Sequence, residues 1–362
     1  MARLHNRVRW YRTKARMSQA ELADCIGVTR QAVSLIEAEQ TVPSTAVALR
    51  LSAVFHVPVE KLFREEVTGQ VAARTDPGDP ARVGERVLLA RVGHALVSHR
   101  ATALYGQRMQ ALPATGVVAG GAGAADTVLV ETAPDAARRT WGVIAGCDIA
   151  LGLLAAHASG SPGSLQMLWR NADNGLALRL LRTGFVHAAA VHTPSLSLVE
   201  RMQSRGDVWV NFSSWQVGWI LRRSDGCGFS GVGDLAAGRL RLVNRPTGSG
   251  ARALLDSLLR EAGIDGPSIP GYDRVVEGHL QIVDAVTAGI ADVGIGIASA
   301  AVLAGLSFHP IREESCDIVI PGELAEDEEA LRVLDALCSD EFRWDLERFG
   351  PYDVSRTGRS IM

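Results

Sequence analysis

Residues 17 to 38, Met-Ser-Gln-Ala-Glu-Leu-Ala-Asp-Cys-Ile-Gly-Val-Thr-Arg-Gln-Ala-Val-Ser-Leu-Ile-Glu-Ala, constrain the fold of this chain more than any other stretch. Ser18 and Glu21 have the spacing of a capping box, in which side chain and backbone satisfy two free N–H groups reciprocally and a helix begins. Leu22, Ala23 and Ile26 give that helix one apolar stripe. Gly27 stands where a left-handed residue ends the helix and turns the chain. Thr29 caps a second helix whose Val33 and Ile36 point inward, leaving Arg30, Gln31 and Ser34 outward. Those outward side chains are the types that reach base edges and phosphates. The pattern predicts two helices joined by a tight turn, the second shaped for a DNA groove. A small helical bundle that docks protein is the alternative.

These motifs resemble the lambda-repressor-like (Cro/C1, or XRE-type) helix-turn-helix family over roughly residues 3–64. The match continues through Pro43-Ser44, where a fourth helix opens, and through Val57 to Phe63, a closing one. The resemblance implies an all-α, five-helix DNA-binding domain at residues 1–66. It also implies that Gln19 contacts a phosphate and that Thr29, Arg30, Gln31 and Ser34 form the base-reading face. Charge agrees locally. Residues 1–16 carry Arg3, Arg7, Arg9, Arg12, Lys14 and Arg16 with no acid, while the whole chain is formally at −3. A chain that held DNA by diffuse charge would be basic throughout, so one module is expected to touch DNA.

At 362 residues the chain has room for two or three domains at ~100–200 residues each. The remainder is rich in Ala, Gly, Val and Leu and poor in aromatics, which suits an α/β architecture. No run reaches the ~20 apolar residues of a membrane span, and no hydrophobic segment follows the basic start as in a secretory signal. The five cysteines, Cys25, Cys147, Cys227, Cys316 and Cys338, are odd in number and widely spaced. Reduced thiols and a cytoplasmic protein are therefore expected, with no disulfide framework and no metal site.

Gly69 to Pro80 reads as a linker, within residues 67–81, because its prolines and glycines disfavour regular structure. Residues 82–137 read as a small β-rich connector, with Gly116 to Ala125 a loop. From Thr140 onward short β runs alternate with helical ones: strands at 141–145, 166–169, 188–191, 208–210, 239–244, 292–296 and 307–310. The intervening helices are expected at 149–157, 175–182 and 250–262, with 326–348 largely helical. Such alternation predicts mainly parallel, helix-covered sheets.

Leu242 to Asp256 runs from a strand through Thr247-Gly-Ser-Gly250 into a helix. Successive backbone N–H groups in such a loop form an anion-sized nest, to which the helix dipole adds positive potential. Arg245 or Arg252 can neutralise charge. A plain capped connection is the alternative reading. Asp148 reads equally as a helix cap, and His192 as a packed hinge residue. Trp215 and Trp219 recur at helical spacing and read as core or hinge.

Val243-Asn-Arg-Pro-Thr-Gly-Ser-Gly-Ala-Arg252, Gly271-Tyr272, Gly278-His279 and Ala288 to Gly296 resemble the periplasmic-binding-protein-like effector domain, a relative of molybdate-binding proteins, that is found fused to helix-turn-helix modules. The resemblance continues upstream through Ala145-Gly-Cys-Asp148. It implies a two-lobed α/β domain at 138–362, with lobe I about 138–208 and 312–362 and lobe II about 209–311. The fold class is thus α plus α/β. Ligand contacts are expected from Cys147, Asp148, Asn174, Gly175, Arg245, Thr247, Gly248, Ser249, Gly250, Ala251 and His279, on segments that each precede a helix. Ala251 and Gly278 stand where the family often has threonine, and either change removes a ligand hydroxyl. No Gly-x-Ser-x-Gly, His-Glu-x-x-His or Walker loop occurs, so no catalytic residue is expected. The expectation is a ligand-responsive regulator that binds a double-stranded DNA operator as a homodimer or higher oligomer, away from membranes. No covalently bound cofactor is expected. The favoured effector is a small anion of the molybdate or tungstate kind. A molybdenum-cofactor-related pterin or small carboxylate is the first alternative, and a catalytic domain fused to a DNA-binding module the second.

Overall fold

The computed structural model describes residues 4–65, 69–105, 108–133, 140–160, 164–192, 206–222 and 228–361. Helix-capping chemistry organises the first domain: β1 (Leu4–Asn6), α1 (Val8–Lys14), α2 (Gln19–Ile26), α3 (Arg30–Glu37), α4 (Thr45–Phe55), α5 (Val59–Leu62) and β2 (Phe63–Glu65). The Glu21 N–H donates to the Ser18 hydroxyl and the Ser18 N–H to the Glu21 carboxylate, so the capping box forms. Gly27 turns the chain at φ 66°. The Thr29 hydroxyl accepts from the Ala32 N–H and starts α3. Val8, Leu22, Ile26, Val33, Leu51 and Leu62 close a separate helical core.

A closed five-stranded barrel follows, in the order β3-β5-β4-β8-β9. Its strands are β3 (Gln70–Thr75), β4 (Arg86–Val92), β5 (Ala95–Arg100), β8 (Gly116–Gly121) and β9 (Thr127–Thr132), with a hairpin of β6 (Thr102–Tyr105) and β7 (Arg108–Ala111) set outside. The segment expected as a linker therefore supplies a barrel strand, and the segment expected as a glycine-rich loop supplies another. Because side chains alternate along a strand, β4 serves two cores. Val87 and Leu89 face the barrel interior, while Leu88, Ala90 and Val92 enter the main core of the following domain. Asp76, beside the barrel, accepts from Arg170 at 2.6 Å and sits 3.2 Å from His99, fixing the barrel to its neighbour.

The remaining elements are β10 (Trp141–Gly146), α6 (Leu151–Ala158), β11 (Gln166–Asn171), α7 (Asn174–Arg182), β12 (Ala188–His192), β13 (Val208–Leu221), α8 (Val232–Ala236), β14 (Leu242–Val243), α9 (Gly250–Glu261), α10 (His279–Thr287), β15 (Val293–Ile297), α11 (Ala298–Leu303), β16 (Ser307–Ile320), α12 (Glu328–Cys338), α13 (Asp340–Phe349) and β17 (Tyr352–Asp353). They form one sheet, β11-β10-β12-β16-β13-β15-β14, with β17 added on β13. The expectation of mainly parallel strands is corrected. β10 pairs parallel with β11 and β12, and β14 with β15, but β13 and β16 run antiparallel to each other for their whole length. These two strands are 14 residues each, far longer than the short runs expected at 208–210 and 307–310. Trp215 and Trp219 accordingly lie on a strand, both buried. Register shifts at Asn211/Ser213 and Val217/Gly218 interrupt the β13–β16 ribbon twice, and the sheet continues from one end through β12 and from the other through β15, which gives it two halves.

The helical domain rests on α12. Arg7 Nη2 lies 2.7 Å from Glu329 and Arg7 Nε 3.3 Å from Glu328, while Lys61 Nζ lies 2.5 Å from Asp327.

Candidate functional site

On α3, Thr29, Arg30 and Gln31 are exposed and Ser34 is half-buried on the same outward side. Gln19 is held from behind, its amide donating to Glu37 at 2.9 Å. Glu37 itself is buried and accepts from Arg12 Nε at 2.5 Å and Nη2 at 3.2 Å. Burial opposes its charge, yet Arg12 and Gln19 outweigh burial and keep its pKa below the usual carboxylate range. The helix thus carries its polar face outward on an internally neutralised base.

The second constellation lies where β10, β12 and β16 meet. Gly146 ends β10 at a point where any side chain would collide, since a Cβ there would sit 2.5 Å from Leu151 Cδ1 and 2.7 Å from Ala190 Cβ. The chain turns immediately at Cys147-Asp148. Cys147 Sγ lies 3.0 Å from His192 Nε2, and His192 Nδ1 lies 2.9 Å from Glu314 Oε2. Arg312 Nε donates to Glu314 Oε1 at 2.9 Å. Burial opposes charge on His192, but Cys147 and Glu314 outweigh it and raise its pKa to about 10. Burial likewise opposes charge on Glu314, and His192 and Arg312 outweigh it, so its pKa is lowered. The ring of Trp215 stands edge-on to His192, centroids 5.1 Å apart.

Cys147 also lines a small open pocket with Ile149, Trp169, Asn171, His279, Leu280 and Gln281, about 210 Å³ of space that includes open solvent. His279 opens α10, whose first residues follow Gly278 without a side-chain cap. Burial, and then the charges of Arg245 and His192, push the His279 pKa well below its usual value, so the ring is neutral. Arg245 lies against it, Nη1 3.5 Å from His279 Nδ1. Arg245 is only 3 % exposed. Its Nη2 donates to the Glu277 carbonyl at 2.9 Å, and its Nε has no partner. Among the described residues no carboxylate lies within ion-pair distance of this guanidinium, which stays protonated even when burial lowers its pKa. An arginine buried without a counter-ion is costly. A small anion entering the pocket would supply the missing charge.

The expected ligand residues divide. Cys147 and His279 line the pocket, with Arg245 beside it. Asp148 turns into the core, where its carboxylate accepts from the Ala150 N–H at 2.7 Å and the Tyr352 hydroxyl at 2.9 Å. Burial raises its pKa to about 6. The Asn174 amide oxygen accepts from the His192 N–H at 3.1 Å, so Asn174 positions the imidazole from its backbone side. Gly175, Thr247 and Gly248 are exposed, Gly250 is half-buried, and Ala251 is buried. The Ser249 hydroxyl caps α9 by accepting from Arg252 N–H at 3.3 Å. None of Gly175 and Thr247 to Ala251 lines the pocket. Arg252 is engaged with Asp256 at 3.0 Å and stacks over Tyr272. Asn171, Trp169, Gln281 and Glu314 were not anticipated. The one sequence signal toward them was His192, placed at the end of an apolar run.

Two families match the chain: a PBP superfamily domain over residues 155–338 and a helix-turn-helix over residues 8–62. An uncharacterized protein, YvgK of Bacillus subtilis (strain 168), is 31 % identical over 154 residues, 42 % of this chain, and the chain spans about half of it, 49 %. An uncharacterized HTH-type transcriptional regulator, YgzD of the same organism, is 37 % identical over 60 residues, 17 % of this chain and 91 % of its own length. Among solved structures, an ABC-type phosphate transport receptor from Vibrio cholerae is similar with a TM-score of 0.41 at 12 % identity, covering 59 % of this chain and 99 % of the receptor.

Proposed function

The chain belongs to the PBP superfamily, and on that premise we propose that it is a cytoplasmic transcriptional regulator that reads operator DNA with α3 and takes a small anion in the pocket between the two halves of its sheet. A helix-turn-helix domain is fused to a PBP-like ligand-binding domain. Both are of binding kinds. The observation that carries the reading is Arg245, buried beside the pocket without a counter-ion.

In this reading the DNA-binding unit ends near residue 66 and the sensing unit begins near 138, with the barrel between them. The lobes of the sensing unit hinge at the register shifts in β13. Closure on an anion would move α12 relative to the half of the sheet that continues through β15, and the Arg7 and Lys61 contacts would carry that movement to α3. One helix-turn-helix unit spans one half-site, so a dimer is needed to reach two half-sites about 34 Å apart. The anion shifts operator affinity only through a difference in its own affinity for the two arrangements.

Molybdate and tungstate have the charge this reading needs, and the family resemblance favours them. A small organic carboxylate is the second reading. It is favoured because the Ser249 hydroxyl is already a helix cap, while Thr247 and Gly248 lie outside the pocket. A carboxylate uses the guanidinium, which pairs with it bidentately.

The test is a gel shift with the full chain. Arg30→Ala/Gln31→Ala should lose specific operator retention on the order of 100-fold, since base-reading pairs contribute about 1–3 kcal/mol each. Unchanged retention overturns the DNA assignment. Operator affinity indifferent to saturating molybdate, phosphate and pyruvate overturns the coupling.

A further inference from the structure

We propose that Cys147 is a nucleophile that adds reversibly to the carbonyl carbon of a small 2-oxo acid, whose carboxylate pairs with Arg245 and whose carbonyl oxygen takes a proton from His192. This rests on the reading of the pocket as an anion site and names the ligand class. Three observations carry it. Cys147, His192 and Glu314 form a nucleophile, base and orienting carboxylate at 3.0 Å and 2.9 Å, the arrangement that activates a thiol. Cys147 is half-exposed and lines the pocket. Arg245, nearly fully buried with an unpartnered Nε, lies behind His279, which lines that same pocket.

The step balances without an oxidant. In the reacting arrangement the proton shared between Cys147 Sγ and His192 Nε2 lies on nitrogen. The sulfur pair forms an S–C bond as the carbonyl π bond breaks. That pair moves to oxygen, which takes the Nε2 proton, leaving a neutral thiohemiketal and a neutral imidazole. No group leaves and no electrons are gained or lost. The raised pKa of His192 favours the proton on Nε2.

The alternatives use fewer of these groups. A divalent cation at Cys147 would face Arg245 and a protonated His192. A hydroperoxide would leave Arg245 unpaired, and an inorganic oxyanion has no carbon for the sulfur. A ligand with a carboxylate next to an electrophilic carbon offers a partner both to Arg245 and to the Cys147 sulfur. Glu314 and Arg312 act as positioning residues, holding the Nε2 edge of His192 toward sulfur.

The full chain provides its own controls, because Cys25 and Cys338 are exposed. Peptide mass spectrometry after brief iodoacetamide treatment should find Cys147 alkylated about tenfold faster than either, despite its lower exposure. Glu314→Gln, which keeps the imidazole, should remove most of that advantage. Arg245→Gln should slow iodoacetate, an anion, far more than iodoacetamide. Millimolar pyruvate should protect Cys147, and carbon-13 labelling of its carbonyl should give a tetrahedral-carbon NMR signal absent from Cys147→Ser. Acetate, with no carbonyl to attack, should protect less and give no signal. Cys147 reacting no faster than Cys25 overturns the inference. If pyruvate and acetate both raise the melting temperature but no tetrahedral signal forms, the anion site stands and the covalent step is overturned. If neither raises it, the anion reading falls as well.

Discussion

Around Glu37 in the helical domain, a buried carboxylate is met by Arg12, Gln19 and the more distant Arg9 at 3.6 Å. Around Arg245 in the PBP-like domain, a buried guanidinium is met by one carbonyl oxygen and a neutral histidine. The first cluster cancels its charge internally. It can therefore serve as a rigid base for a helix whose binding groups all face water. The second has no carboxylate in ion-pair contact among the described residues, and Cys147, Asp173 and Glu277 act on it only from a distance. A buried charge that the protein does not neutralise is a candidate ligand site, whereas a neutralised one serves as scaffold.

The sharpest way to break this contrast is to remove one cation from each cluster. Arg12→Ala should destabilise the protein by about 3 kcal/mol, because it leaves Glu37 buried with its main partner gone. Urea unfolding would measure this. In the same variant the loss should shrink at low pH. Glu37 has a lowered folded-state pKa, so its contribution is present above the unfolded value and lost as pH falls through the folded one.

Asp148 should behave oppositely to Glu37. Its folded-state pKa near 6 lies above the unfolded value of 3.8, so the native state binds the proton more tightly between those limits. Stability should fall by roughly 3 kcal/mol as pH rises through that window. Asp148→Asn, which keeps the acceptor for Ala150 and Tyr352, should flatten the profile and melt higher than the parent at pH 8. A parent profile already flat there would remove Asp148 from the account.

Arg245→Met comes next, and its sign differs from that of Arg12. Replacing an unpaired buried cation with an apolar side chain should stabilise the free protein by about 1–2 kcal/mol and so raise its melting temperature. A loss comparable to that of Arg12→Ala would mean that Arg245 is structurally paired after all. The smallest effect is expected at Lys61, 40 % exposed on its side chain. Lys61→Ala should cost under about 1 kcal/mol, while altering how operator affinity responds to anion.

The two clusters also differed in how far the sequence disclosed them. Ser18, Glu21, Gly27 and Thr29 act through neighbours three residues away or fewer, so capping and turning are written contiguously. Cys147, His192, Arg245, His279 and Glu314 come together only through sheet order, which no local spacing encodes. Asp148 was ambiguous for a related reason, because a cap and a ligand use the same carboxylate, and Tyr352, 204 positions away, decides between them. The glycine-rich run at Gly116 read as a loop because glycine there serves strand approach. A Cβ at Gly116 would sit 2.5 Å from Val130 Cγ1 and 2.6 Å from the Glu131 oxygen. β13 is legible only over 208–210 because Asn211 and Ser213 are polar yet buried, interrupting the alternation that marks a strand.

The central claim, that the unneutralised Arg245 makes the pocket an anion site, is tested most directly by thermal unfolding of the full chain and of Arg245→Met. Both would be melted in pyruvate, molybdate and phosphate against chloride at matched ionic strength. At 100 times its dissociation constant a true ligand adds ~2.7 kcal/mol. The account predicts that at least one of the three anions raises the melting temperature of the parent and leaves Arg245→Met unmoved. No rise with any anion, or an equal rise in both proteins, would contradict it.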